Sequence, residues 1–433
     1  MAEATTRRTA ERELLTNDKP RGAPMPAIAQ TVSPSDVGID ASRLRRLDAH
    51  FEQYVNDGRL PGFQVVVSRD GKVAHHTCYG KRDIEAGLPV EADTIWRIYS
   101  MTKPITSVAL MMLVEEGKLL LTDPVSKFIP SFGASRVWRS GSVVRPFTEP
   151  VTEPMLVWHL LTHTSGLTYG FLYQSPVDDL YRRAGYEWGA PRDTTVAQAC
   201  DTWASLPLLF QPGTEWNYSV ATDVVGHIVE IVSGQSLDEF FAQRIFAPLR
   251  MNDTGFFAPE EKHPRLAALY QPDPATRLAK RLDGRVPTRA PSFLSGGGGL
   301  VSTAHDYDRF MQMIANDGAL DGVRILSPRT VRLMTMNHLP GGADISAFGR
   351  PLDLENTYDG TGFGLGFSVM VNQADSKLHG SPGDFGWGGA ASTTFWINPV
   401  DRLSVAFYTQ LLPSSTWPLR TYLKTLVHQA IVD

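Results

Sequence analysis

The chain has 433 residues, of which 42% are hydrophobic and 20% charged; these are globular proportions, at a length of two or three domain-sized units. A formal net charge of −5 leaves no basic footprint and argues against nucleic acid as a partner. The only cysteines, Cys78 and Cys200, match neither a disulfide framework nor zinc spacing and fit a reducing compartment.

In chain order, residues 1–37 read as a flexible leader, with an amphipathic helix over Ala10–Leu15 as the alternative. Arg7 and Arg8 are not followed by the apolar run of about 7–15 residues that a secretory signal needs. No apolar stretch approaches the ~20 residues of a membrane span. A soluble, cytoplasmic protein is expected. Leu44, Leu47 and Phe51 recur at helical spacing within Ala41–Asp57. Two β-rich runs then flank Asp70-Gly71, a strong hairpin signal. Thr94–Tyr99 looks strand-like and gives way to a helix over Met101–Glu116 that is apolar nearly all round, and therefore buried.

From 119 to 299 the pattern changes to short helices (Met155–His163, Ala221–Val232, Leu237–Phe246) punctuated by Pro and Gly, with no alternating strand pattern. After Gly296–Leu300, Ser302 is placed to cap a helix reaching Ala315, and Ser327-Pro328 opens another. Strand character returns in Phe363–Val371, Thr393–Ile397 and Leu403–Gln410, and Pro418–Ile431 closes as a helix. Strands near both ends with helices between predict an α+β fold. Its sheet would come from residues 38–118 and 300–433, with residues 119–299 as an inserted helical domain.

Ser100-Met101-Thr102-Lys103 is the single S-x-x-K of the chain, at the start of the buried helix. Positions i and i+3 share a helix face, so Lys103 points at the space above Ser100. A serine hydroxyl needs a base, and lysine serves only when burial or a nearby cation lowers its pKa from about 10.4. A capping serine beside a snorkelling lysine is an equally ordinary reading of this motif alone. Tyr218, in Trp216-Asn217-Tyr218-Ser219, stands at a loop-to-helix junction and could present its hydroxyl to the pair, or simply be a core tyrosine. Gly383–Ala390 enters a strand through glycines that would let a substrate approach the backbone, or merely form a turn. His159 and His163 have metal-ligand spacing, but Leu160 stands where H-E-x-x-H requires glutamate, so a structural role is favoured. Gly296–Gly299 lacks the G-K-[ST] of a phosphate loop, and no G-x-S-x-G occurs. No metal and no cofactor are expected.

Taken together, and in this order, the three segments resemble the serine β-lactamase and penicillin-binding-protein superfamily, most closely the family VIII carboxylesterases. The resemblance runs from about residue 38 to the C-terminus and includes Leu160–Leu167 and Gly364–Val369. It implies a β-lactamase-like fold, an antiparallel sheet flanked by helices. It also implies Ser100 as the acylated serine, Lys103 as its base and Tyr218 as the second-motif tyrosine. The backbone N–H groups of Ser100 and Ala390 would form an oxyanion hole, with Trp387, Gly388, Gly389 and Val220 against the substrate. Two departures matter: Val220 stands where an asparagine is usual, and Trp387 where β-lactamases have lysine. Both make the site less polar and favour neutral short-to-medium-chain esters over β-lactams and peptides. A β-lactamase or D-amino-acid peptidase, an acyltransferase, and a non-catalytic binding protein remain as alternatives. The oligomeric state is not legible.

Overall fold

The structure is a computed structural model that describes residues 27–282, 286–350, 352 and 358–433. Apolar residues that alternate along the strands give the central sheet its two covered faces. Its strands are β1 (Gly62–Arg69), β2 (Lys72–Asp83), β3 (Leu88–Pro89), β4 (Thr361–Phe363), β5 (Ser368–Met370), β6 (Phe385–Gly388), β7 (Thr394–Asn398) and β8 (Leu403–Tyr408). They pair antiparallel in the order β4-β5-β6-β7-β8-β1-β2-β3, so the chain's two ends meet where β8 lies beside β1 with Val65 opposite Phe407. Asp70 and Gly71, both at positive φ, close the β1–β2 hairpin as the turn type demands.

Five helices frame the sheet and the site: α1 (Ala41–Asn56), α2 (Thr102–Glu115), α3 (Ala221–Ser233), α4 (Ala304–Ala315) and α5 (Leu419–His428). Asp40 caps α1 by accepting the Ser42 and Arg43 amides. Leu44, Leu47 and Phe51 of α1 share one core cluster with Leu419, Leu423 and Val427 of α5 and with Val65, Val67, Val405 and Phe407 of the sheet. Phe51 lies 4.7 Å from the Phe407 ring and 5.7 Å from that of Phe63. Truncating so fully buried an aromatic to alanine costs about 3–5 kcal/mol. The intervening residues, Val66, Ala406 and Tyr408, belong to the core of the opposite face, together with α2, α3 and α4.

Several sequence expectations are corrected. Ile28 is buried and Thr31 pairs with Val73, so the described end of the leader is packed; Ala10–Leu15 lies outside the described residues. Thr94–Tyr99 contributes only Trp96–Arg97, paired with Val301–Ser302 outside the main sheet. The middle segment contains two hairpins, Arg136–Ser142 with Arg145–Pro150 and Tyr270–Pro272 with Ala279–Arg281. The first is solvated on most of its surface, so it carries no apolar alternation to read. Met155–His163 shortens to Val157–Leu161. Leu237–Phe246 is helical to Phe241 and then widens into a π-type turn. Thr303, not Ser302, caps α4 by accepting the Asp306 amide. Phe363–Val371 is not one strand: Gly364 and Gly366 fold it into the β4–β5 hairpin, with Gly366 at positive φ. Among the described residues, no helix is long and apolar enough to cross a membrane.

Candidate active site

A short 3-10 turn, Tyr99–Met101, delivers Ser100 to the N-terminus of α2. One turn later Lys103 is almost fully buried, as an all-round apolar helix dictates. Its Nζ donates to Ser100 Oγ at 3.2 Å, to the Tyr169 hydroxyl at 3.1 Å and to the Gly297 carbonyl at 2.7 Å. Tyr218 arrives just before α3, and its hydroxyl donates to Ser100 Oγ at 2.7 Å. The serine hydroxyl thus sits between two proton-carrying groups from distant parts of the chain.

Burial lowers the Lys103 pKa to about 7, against a smaller upward pull from the Asp223 carboxylate. Burial pushes the Tyr218 phenol upward, against smaller opposing effects of its hydrogen bonds with Ser100 and Trp387. Near neutral pH the lysine can therefore shed its proton while the tyrosine keeps its own. Asp223, itself buried, has its pKa raised by burial. Its Oδ1 accepts from Ser295 Oγ at 2.6 Å and from the Gly297 amide at 2.9 Å, which holds the Gly297 carbonyl where Lys103 meets it.

The third segment forms β6 and the turn into β7. Trp387 Nε1 donates to the Tyr218 hydroxyl at 3.3 Å, and their rings lie 5.4 Å apart, so Trp387 braces the tyrosine. A Cβ would crowd both glycines there, Gly389 against backbone and Gly388 against the movable end of a side chain. A Cβ on Gly388 would sit 2.5 Å from the Arg420 guanidinium carbon, and one on Gly389 would sit 2.4 Å from the Ile98 carbonyl. Ser100, Tyr218, Val220, Gly389 and Ala390 line one cavity of about 710 Å³. Its outer wall is aromatic. Tyr169 stacks on Phe171 at 4.7 Å and Phe171 on Trp188 at 4.6 Å, with Trp188 58% exposed at the far end.

Ser100, Tyr218, Val220 and Trp387–Ala390 line this cavity and Lys103 joins them through Ser100, whereas His159 and His163 stand outside its lining. Sequence reasoning missed four others. Tyr169 and Asp223 carried no motif. Gly297, dismissed with its neighbours as a poor phosphate loop, contributes its carbonyl. Arg420 brings a cation to the third segment from α5, so the wall is less neutral than the loss of the motif lysine implied. His163 packs 5.0 Å from the Tyr218 ring, and burial lowers its pKa well below the usual histidine value. His159 Nδ1 accepts the Leu156 amide. Among the described residues, no group of three or more metal-ligating side chains converges.

Residues 47–429 match the Beta-lactamase family model. Protein Rv1367c of Mycobacterium tuberculosis is 37% identical over 373 residues, covering 84% of this chain and 89% of the relative. Esterase EstB of Burkholderia gladioli is 32% identical over 402 residues, covering 88% and 94% respectively. The solved structure of EstCE1, described as a hydrolase with promiscuous acyltransferase activity, superposes with a TM-score of 0.75 at 26% identity, over 90% of this chain and 98% of the other. On both grounds, the family match and the relatives' coverage, this chain belongs to the Beta-lactamase family.

Proposed function

We propose that the chain is a serine carboxylesterase of the family VIII type that hydrolyses neutral esters through an acyl-enzyme on Ser100. One observation carries this above the rest: a buried lysine with its pKa lowered to about 7 and a protonated tyrosine both reach the Ser100 hydroxyl. Esterase EstB, similar over most of both chains, supports the choice of ester chemistry. Neutral Lys103 takes the Ser100 proton as Oγ attacks the ester carbonyl. The Ser100 and Ala390 N–H groups receive the oxyanion, a donor of this kind being worth about 3 kcal/mol. The Ala390 amide has no acceptor among the described residues and is free for that task. As the tetrahedral intermediate collapses, the leaving alkoxide takes a proton from the Lys103–Tyr218 pair. Water then attacks the acyl-enzyme as the pair takes its proton, and the pair passes that proton to Ser100 Oγ as the C–Oγ bond breaks and the acid departs.

Val220 and Trp387 supply an apolar wall where an amide and a cation would hold a β-lactam, so esters are the preferred substrates. The Arg420 hydrogen bonds recorded in this structure go to backbone carbonyls. Transfer of the acyl group to an alcohol is the second reading. It is favoured by a cavity of about 710 Å³, within the range that holds drug-sized ligands and ample for an acceptor beside a short acyl group. The two free cysteines support placement in a reducing compartment such as the cytoplasm. The test compares kcat/KM for chromogenic acyl esters and a chromogenic cephalosporin, with product analysis in added alcohol. Faster cephalosporin turnover would replace the esterase with a β-lactamase, and dominant alcoholysis would make it an acyltransferase.

A further inference from the structure

Arg420, in the first turn of α5, stands in the wall between the reactive cavity and a second one of about 320 Å³ lined by β6 and α5. Its Nη2 donates to the Gly389 carbonyl at 2.8 Å and to the Thr393 carbonyl at 3.1 Å. The Thr393 carbonyl also accepts the Gly389 N–H at 2.8 Å, so this turn is held from both sides. The guanidinium packs against β6 closely enough that a Cβ at position 388 would displace it from that place.

The Gly389 carbonyl and the Ala390 N–H belong to one trans peptide unit, so they point in opposite directions. Fixing the oxygen on Arg420 therefore fixes the direction of the N–H, away from the guanidinium. The turn also abuts the carbonyl of Ile98, two residues before Ser100. A cation on an amide oxygen does more than orient it. Charge-assisted bonds are about twice as strong as neutral ones, and withdrawing density from the oxygen makes the attached N–H a better donor.

We propose that Arg420 is a positioning residue for the oxyanion site: it orients and polarises the Gly389–Ala390 peptide so that the Ala390 N–H meets the negative oxygen of the tetrahedral intermediate. This rests on the acyl-enzyme proposed above. In this role Arg420 acts through the Gly389 carbonyl and not through contact with the substrate, although it also lines the cavity. Its effect should therefore appear in the transition state and not in ground-state binding.

The experiment measures kcat and KM for p-nitrophenyl butyrate, and inhibition by a trifluoromethyl ketone whose adduct carries an oxyanion. The proteins are wild type, Arg420→Ala and Arg420→Lys, each checked by thermal melting. Removing an oxyanion donor outright costs about 10²–10³ in kcat, so losing its support should lower kcat by about 10–50-fold. KM should stay within about twofold, as for an interaction made only in the transition state. The ketone should weaken by the same factor as kcat, and added methylguanidinium should restore part of the Arg420→Ala loss. If Arg420→Ala does not fold, the comparison rests on Arg420→Lys, with a smaller loss in kcat and in ketone affinity at unchanged KM. An unchanged kcat in a folded variant would overturn the proposal, as would a raised KM at full kcat, which would mean that Arg420 holds substrate. Fluorophosphonate labelling of the wild type separates the two ideas. No label at Ser100 sinks the acyl-enzyme, whereas a labelled Ser100 with indifferent Arg420 variants sinks only the positioning role.

Discussion

The Tyr218 hydroxyl donates to Ser100 Oγ at 2.7 Å although the two residues are 118 positions apart in the chain. Lys103 reaches the same oxygen at 3.2 Å from one turn along α2 and also stands 4.4 Å from the centroid of the Tyr218 ring. Groups coupled this closely should act as one unit, with strongly non-additive mutational effects. Lys103→Ala and Tyr218→Phe should each lower kcat by about three decades or more, and the double variant by little more than the worse single. Losses that multiply would show two independent helpers.

The pH dependence follows from Lys103. Its folded pKa is about 7, and catalysis needs the neutral form, so kcat/KM should rise with pH through that region. The Asp223 carboxylate pulls that pKa upward, so Asp223→Asn should move the acid limb to lower pH. Asparagine can still accept from Ser295 and the Gly297 amide, which preserves the loop. A limb that stays put in Asp223→Asn would remove Asp223 from the electrostatics of the site.

The same lysine should cost the fold stability. Its pKa falls from the ordinary lysine value of 10.5 to about 7 when the chain folds. Between those values the unfolded chain binds the extra proton, so stability rises with pH across this window and the penalty is complete below it. Lys103→Met should abolish turnover yet stabilise the fold at pH 7 by about 1–3 kcal/mol. The advantage should shrink toward pH 10.5, as chemical denaturation at several pH values would reveal. Lower stability of Lys103→Met at pH 7 would mean that its three hydrogen bonds outweigh desolvation.

Trp188 should select substrates by their apolar arm. Its ring continues the Tyr169–Phe171 stack outward at the cavity mouth. Stacking is worth about 0.5–1.5 kcal/mol, so Trp188→Ala should raise KM for naphthyl esters about 3–10-fold while sparing ethyl acetate. Comparing naphthyl acetate with ethyl naphthoate tells whether the alcohol or the acyl arm lies there. Equal effects on all esters would make Trp188 a packing residue.

Much of the site was legible because its chemistry is local. Ser100 and Lys103 share one helix face by spacing alone, and Gly388 and Gly389 advertise close approach. The partners that tune the site were not, since they act through tertiary contact. Asp223 reads as an ordinary first-turn carboxylate until Gly297 is brought against it. Arg420 reads as a surface residue of an amphipathic helix until β6 passes beneath its guanidinium. The β4–β5 hairpin hid within an apparently continuous alternation because Gly364–Phe367 turns without disturbing the apolar pattern on either side. The exposed hairpin at Arg136–Pro150 buries too little to leave a pattern at all.

The central claim, a covalent acyl-enzyme on Ser100, is tested most directly by intact-mass analysis after fluorophosphonate treatment, with peptide mapping of the adduct. The expected result is one added group per chain, located on Ser100 and absent from Ser100→Ala, which also loses ester turnover. An unlabelled wild type, an adduct on another residue, or full esterase activity in Ser100→Ala would contradict it.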